Sequence, residues 1–243
     1  FERHCYRPDR LDRVIAVSAA LRNELVAAFP ALHDRVRVIP NGTDTARFRP
    51  NTGDRAAVRE QLGLLPNGLV AIFAGGDWPR KGLHIAIEAI AEASGWELLV
   101  IGRGDAEKHR RRAVDAGVAG RVHFAGAVGD PERYFAAADV FVLPTAYEGF
   151  PLVSIEAAAT GLPLLMTREA NAEAVLTDGV SGCVLPREAA TFARSLCELG
   201  ADPARRARLG SAARTAALAL DWRGIVDQHE AVYREMLHRA RKA

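Results

Sequence analysis

The stretch DVFVLPTAYEGFPLVSIEAAATGLPLLMT, residues 139–167, contains the pattern that decides the fold. It opens on an apolar run, passes through a turn-rich loop, continues as a small-residue helical segment, and closes on a second apolar run. Both runs are apolar throughout and do not alternate, as expected of parallel strands covered on both faces. Pro151 suits the first helical position, where a missing N–H costs nothing, and Gly161 followed by Pro163 ends the helix. Within this frame Glu156 is a carboxylate inside an apolar helix, and Glu148 stands just before that helix begins.

The same alternation extends in both directions. Apolar, β-branched runs recur at VIAVS (14–18), VRVIP (36–40), LVAIFAGG (69–76), ELLVIG (97–102) and RVHFAG (121–126). Amphipathic segments lie between them at 84–93, 106–117 and 131–138, and two long helices are predicted over 202–220 and 221–240. Strand, helix, strand in succession predicts an α/β fold, a Rossmann-like parallel sheet with helices on both faces. In such sheets ligands bind at the carboxyl ends of the strands. The chemistry is therefore expected in four loops: GGDWPRKG, IGRGD, AGAVGDP and PTAYEGFP. Residues 14–29 read as a strand, a Ser N-cap and a helix, and 36–51 as a strand followed by a Pro-bounded interdomain linker.

Composition narrows the function classes. The chain has 243 residues, with 49% apolar and 26% charged, the proportions of a globular protein with a sizeable core. A formal net charge of +2 gives no support to nucleic-acid binding, and local runs such as KHRRR (108–112) read as solvated helix faces. The three cysteines, Cys5, Cys183 and Cys197, are widely spaced and form no CxxC set, which favours a reducing, cytoplasmic setting over disulfides or structural zinc. No apolar run approaches the length of a membrane span. The beginning FERHCYRPDR has no Met and no element start of its own, so a piece of a longer protein is expected.

Each candidate loop admits a chemical and a plainer reading. Glu148 and Glu156 flank a helix end whose free N–H groups favour an anion, which suits a sugar linked to phosphate. Equally, Glu148 could complement the helix dipole and Glu156 could find a buried partner. In GGDWPRKG, Gly75 and Gly76 permit close backbone approach and Arg80 with Lys81 sit where a phosphate would dock, or the loop is a solvated turn. The spacing of a Walker A loop is absent. IGRGD contains an incomplete GxGxxG and a chance RGD triplet, and its useful feature is Gly102 beside a ligand. The seven histidines form no metal-spaced set, no GxSxG elbow occurs, and Asp77 and Asp139 form no DxD pair, so neither a metal nor a hydrolase triad is indicated.

With these residues in view, the chain resembles the C-terminal, donor-binding half of a GT-B glycosyltransferase of family 4. The resemblance rests on VIPNGTDTARFRP, PRKG, IGRGD, RVHFAGAV, AAADVFVLPTAYEGFPLVSIEAAATGLP and DGVSGCVLP, in the family's order. The Glu, seven residues, Glu pattern is its most specific element. The resemblance implies that Glu156 accepts hydrogen bonds from nucleotide ribose hydroxyls and Glu148 holds donor-sugar hydroxyls. Amides around Gly149, Phe150, Pro151 and Leu152 would hold the diphosphate, which Lys81 with Arg80 would neutralise as it leaves. The loop around Val128 and Asp130 would receive the base, Gly102 would line the floor, and Gly75 and Gly76 would let backbone approach the donor. It further implies retention of anomeric configuration without metal or cofactor. The family's usual Gly-Arg is here Gly75-Gly76, so Arg80 is expected to supply the second cation.

The expected organisation is a remnant of the N-terminal domain and linker over 1–43, a nucleotide-sugar-binding unit over 44–220, and a C-terminal helix over 221–243 packing back toward the N-terminal domain. The expected partners are a UDP- or GDP-linked sugar and a glycan, lipid or small-molecule acceptor, with membrane contact through the missing domain. Two other functions fit the same residues: a GT-B-like nucleotide-sugar epimerase or phosphorylase, and a non-catalytic nucleotide-sugar-binding module.

Overall fold

The computed structural model describes residues 2–7 and 9–241. Its elements are α1 (Glu2–Cys5), β1 (Val14–Ala16), α2 (Ala19–Ala28), β2 (Val36–Val38), α3 (Thr52–Leu62), β3 (Leu69–Ala74), α4 (Trp78–Lys81), α5 (Leu83–Glu92), β4 (Trp96–Ile101) and α6 (Ala106–Asp115). They continue with β5 (Val122–Gly126), α7 (Pro131–Ala137), β6 (Val140–Leu143), α8 (Leu152–Ala159), β7 (Leu164–Thr167), β8 (Gly182–Leu185), α9 (Ala189–Ala201), α10 (Pro203–Leu218) and α11 (Trp222–Ala240).

Among the described residues, β3 to β8 form one six-stranded sheet in the order β5-β4-β3-β6-β7-β8, every pair parallel. Counting from β3, this is the 3-2-1-4-5-6 order of a doubly wound sheet, with its switch point between β3 and β6. The central strands are sealed on both faces: Val70, Ala71, Ile72 and Phe73 of β3 and Val140, Phe141 and Leu143 of β6 are 0% exposed. Helix α3 packs on α7, and α8 on α10; α5 packs against α6 and α9. The unbroken apolar runs exist because helices cover each face.

Among the described residues, the most deeply buried charge is Arg59. Arg59, 2% exposed, donates to Asp139 Oδ2 at 2.8 Å and to the carbonyls of Ala137, Leu65, Pro66 and Gly68. Arg55 pairs with the other oxygen of Asp139 at 2.7 Å, and Asp139 Oδ2 also accepts from Val70 N–H. Burial holds Arg59 below the usual guanidinium value. The cluster ties α3 to the amino ends of β3 and β6.

Strands β1 and β2 form a separate parallel pair with a small core of Ala16, Leu32 and Val36. Ser18 caps α2, its hydroxyl accepting from Leu21 N–H at 3.1 Å. The chain crosses to the larger sheet through 39–51 and returns at the start of α11, and the two crossings meet where Thr43 pairs with Asp221. Ile225 and Val232 of α11 are buried, and Glu235 pairs with Arg13 and Arg37, beside β1 and in β2, at 2.9 Å each.

Five elements lie outside the sequence reading: α1, α3, α4, α9 and β8, and the short helix α1 corrects the expectation that the first ten residues start no element. One boundary is corrected. Helix α8 begins at Leu152 with Pro151 as its N-cap, at φ −76° and ψ 110°, so the proline precedes the first helical position instead of occupying it. Its extended ψ keeps Pro151 in the loop, so the helix starts one residue later than the rule for Pro suggests.

Candidate active site

The switch point gathers the four candidate loops at the carboxyl ends of β3, β4, β5 and β6. Gly75 N–H donates to Ile101 O at 3.0 Å, and Gly102 N–H to Gly126 O at 2.7 Å, so the loop starts are stitched across three strands. Gly102 has φ 120°, and a Cβ there would lie 2.0 Å from Gly75 O, a contact only glycine avoids. Trp78 secures the same turn from beneath. It is 2% exposed, its indole N–H donates to Gly75 O at 2.8 Å, and its ring packs edge-on to His109 and against Phe124. The sequence reading passed over Trp78, whose signal was an aromatic two residues after a glycine pair at a strand end.

A cavity of about 220 Å³ opens here, lined by Gly75, Gly102, Val128, Pro131, Phe135 and Glu156 among others. The structure thus brings Gly75, Gly102, Val128 and Glu156 together. The walls are almost entirely apolar, so Glu156 supplies the polar end. Burial pushes its carboxyl up to about 7, Arg47 opposing and Glu132 adding to the rise. A carboxyl that expensive to ionise without a donor beside it is suited to accept hydroxyl hydrogen bonds.

Next to the cavity, Lys81 Nζ lies 2.7 Å from Glu148 Oε1, and Arg80 Nη1 lies 3.0 Å from the same oxygen. The Lys81 and Glu148 side chains are each 11% exposed, and Thr145 Oγ1 stands 3.3 Å from Glu148 Oε1. Arg80 Nε donates to Asp77 Oδ2 at 2.7 Å, which holds the Asp77 carboxyl below its usual value and the guanidinium above. Sequence reasoning separated a sugar-binding carboxylate from phosphate-binding cations; the fold joins them on one oxygen. Among the described residues Glu148 Oε2 has no hydrogen-bond partner and can accept one.

Two loops are locked to make this junction. Ala146 N–H donates to Arg80 O at 2.9 Å, and Arg80 also reaches Tyr147 O. Gly82 has φ 78°, and a Cβ there would meet Pro144 O at 2.1 Å, so glycine lets the PRKG turn lie against the loop after β6. The backbone of Glu148 is held from the loop after β7: its N–H donates to Glu169 O at 2.8 Å, and Asn171 Nδ2 donates to its carbonyl at 2.6 Å. Arg187, after β8, donates to Pro144 O at 3.1 Å. Thr145, Asn171 and Arg187 carry no motif of their own, which is why sequence alone did not single them out, and Asp77 was weighed there only as half of a DxD pair.

The remaining expected residues are placed as follows. Gly149 is half-buried, Phe150 and Pro151 are buried and Leu152 is exposed. Among the described residues the N–H groups of Gly149, Phe150 and Leu152 donate to no protein acceptor, so they are open to an anion at the start of α8. Gly76 is exposed and Asp130 half-buried; both lie outside the cavity lining, and Asp130 pairs with Arg133 at 2.9 Å. The described residues contain no group of three or more His, Cys, Asp or Glu placed to hold a metal, and no helix long and apolar enough to cross a membrane.

Known proteins resemble this chain in sequence and fold. The family model described as Glycosyl transferases group 1 matches residues 68–202, and that of Glycosyltransferase Family 4 matches residues 1–47. D-inositol 3-phosphate glycosyltransferase of Acidothermus cellulolyticus is 34% identical, over 96% of this chain and 55% of that protein. Its counterpart from Nocardia farcinica is 32% identical, over 95% and 54%. The chain spans about half the length of the curated relatives it matches. Among solved structures, Anabaena HepE in complex with UDP and glucose superposes with a TM-score of 0.85 at 26% identity, covering 92% of this chain and 63% of that one. Sucrose-phosphate synthase of Thermosynechococcus elongatus superposes with a TM-score of 0.79 at 29% identity, over 93% and 59%. The sheet order, the glutamate pair with its cations and these matches agree: the chain belongs to the glycosyl transferases group 1 family and has the fold of a GT-B donor-binding half.

Proposed function

We propose that this chain is the donor-binding half of a retaining, metal-independent glycosyltransferase that uses a nucleotide-diphosphate sugar. The observation that carries the reading is the junction at the switch point, where an apolar cavity ending in Glu156 adjoins Lys81, Arg80 and Glu148. A nucleoside fits the cavity with its ribose hydroxyls donating to Glu156 and its base toward Val128. The diphosphate then lies at the open N–H groups of Gly149, Phe150 and Leu152, within reach of Lys81 and Arg80. Glu148 Oε2 accepts from a sugar hydroxyl while Oε1 keeps the two cations in place.

In the reaction the bond from the anomeric carbon to the diphosphate breaks as the acceptor oxygen bonds to that carbon on the same face. The acceptor proton passes to the departing phosphate oxygen. Charge accumulates on the diphosphate, where Lys81, Arg80 and the α8 amides stabilise it. UDP is the first nucleotide to assay, because HepE was crystallised with it. D-inositol 3-phosphate is the first acceptor for the full-length enzyme, after the curated relatives. The organisation proposed is a remnant and linker over 1–43, the donor unit over 44–220 and a returning helix over 221–243, in a cytoplasmic enzyme.

Calorimetric titration of the chain with UDP and GDP tests the site. Binding of either, weakened at least about ten-fold by Glu156→Ala and by Lys81→Ala, is expected. Absence of binding, or binding indifferent to both substitutions, overturns the assignment. Incubating the full-length enzyme with donor alone separates transfer from epimerisation, since only an epimerase converts the free donor.

A further inference from the structure

The linker between the two sheets does more than cross. Residues 43–48 touch the start of α11 at one end and the rim of the cavity at the other. Thr43 pairs with Asp221, and Thr45 Oγ1 donates to Asp221 at 2.6 Å. Asp44 Oδ1 accepts from the N–H groups of Ala46 and Arg47 at 3.0 and 2.9 Å, which holds the Arg47 backbone in a tight turn. Phe48 is 5% exposed and packs edge-on to Phe135, itself a wall of the cavity.

Arg47 is thereby delivered to the mouth of the cavity. Its Nη2 donates to Gly129 O at 3.2 Å, beside Val128, and lies 2.8 Å from Glu132 Oε2 at the start of α7. That Glu132 oxygen is buried and has no hydrogen-bond donor in good geometry, so the guanidinium charge is its only compensation among the described residues. Gly129 and Glu132 each adjoin a residue of the cavity wall, Val128 and Pro131, so Arg47 and Glu132 stand beside the cavity that Glu156 also lines; there Arg47 lowers and Glu132 raises the Glu156 carboxyl. The remaining charged groups of the site, Lys81 and Arg80, are committed to Glu148 and Asp77.

We propose that Arg47 is a positioning residue of the nucleotide site: anchored by the linker, it neutralises Glu132 and keeps Glu156 able to meet the ribose as a carboxylate. The inference rests on the nucleotide-sugar reading and assigns it a residue to which the sequence reading gave no role, although it lies within VIPNGTDTARFRP. The elements around Glu156 present Arg47 from the linker and Glu132 from α7, while β3, β4 and α8 contribute the neutral Gly75, Gly102 and Val153. Removing Arg47 leaves the two acids facing each other, and the buried Glu156 then keeps its proton to higher pH. Arg47 is the cation that lowers the Glu156 carboxyl, and an opposite charge within about 4–6 Å moves a carboxyl by roughly one to three pH units.

The test uses the chain as it is. UDP affinity is measured calorimetrically from pH 5.5 to 9 for the wild type, Arg47→Gln, Arg47→Lys and Arg47→Gln/Glu132→Gln, alongside carbon NMR titration of Glu156 without nucleotide. Arg47→Gln is expected to bind UDP about five-fold more weakly at pH 7 and within about two-fold of wild type at pH 9. Its Glu156 should titrate at higher pH. Arg47→Lys should restore binding at pH 7, and Glu132→Gln should recover part of the loss. A loss equal at every pH, or an unmoved Glu156 titration, overturns the role of Arg47 and leaves the nucleotide site standing. A wild type that binds neither UDP nor GDP overturns the nucleotide reading and this role with it.

Discussion

The raised carboxyl of Glu156 has a consequence for stability that needs no ligand. Burial takes it from 4.5 to about 7, so the folded chain holds that proton more tightly than the unfolded chain does. The favourable contribution of the protonated group is complete below about pH 4.5 and is lost as pH rises through 7. A rise of this size corresponds to about 3 kcal/mol, and partial solvent access trims it to about 2. Glu156→Gln keeps the shape and cannot ionise. It should therefore leave stability nearly unchanged at pH 4.5 and raise it by about 2 kcal/mol at pH 8. For a domain of this size that gain is worth roughly 4–8 °C in Tm. Thermal unfolding followed by circular dichroism at pH 4.5, 6, 7 and 8 reads the difference directly. A Gln variant no more stable than wild type at pH 8, or a gain independent of pH, would refute the view that Glu156 is a desolvated carboxyl kept for a ligand. The same variant should lose UDP affinity, so stability and binding should move in opposite directions, the pattern of a site held at a cost to the fold.

Other substitutions probe the same structure. Lys81→Met leaves Glu148 with Arg80 as its remaining cation; it should cost about 1–3 kcal/mol in urea unfolding and weaken UDP more than ten-fold by calorimetry. Gly102→Ala drives a Cβ into Gly75 O at a positive φ, and should destabilise by at least about 2 kcal/mol while abolishing nucleotide binding. Arg59→Met strips Asp139 and four carbonyls of their buried donor; a loss of about 3–5 kcal/mol is expected, with UDP affinity at 20 °C within two-fold of wild type if the variant folds.

Much of the architecture was legible because it is written in local patterns. Runs apolar on nearly every residue, such as LVAIFA, announce strands covered on both sides, and β3, β4, β5, β6 and β7 all occur where such runs lie, with Glu97 of β4 and His123 of β5 as polar exceptions. Strand β8 was missed because GCVL is four residues long with a glycine and a cysteine in it, too short for a period to show. Helix α3, TGDRAAVREQL, escaped notice because its polar residues hide the stripe; its inward face is fastened by Arg59, a charge where the pattern seeks an apolar residue. Helix α9 was likewise passed over, although its apolar face, with Phe192, Leu196 and Leu199, is buried.

Sequence by itself determined the chemistry of the parts: glycines at strand ends, two cations after a turn, and two acids around a helix start. Spacing could do that because each feature depends on neighbours a few residues away. Only the tertiary structure decided which parts meet. Lys81 and Glu148 are 67 positions apart, and Arg47 reaches Gly129 across 82. Those meetings exist because the winding of the sheet reverses between β3 and β6, opening a crevice where their loops converge. The burial that raises Glu156 is set by walls from four other elements. No stretch of sequence around residue 156 contains them, and the carboxylate that looked out of place in an apolar helix is explained by what the fold packs against it.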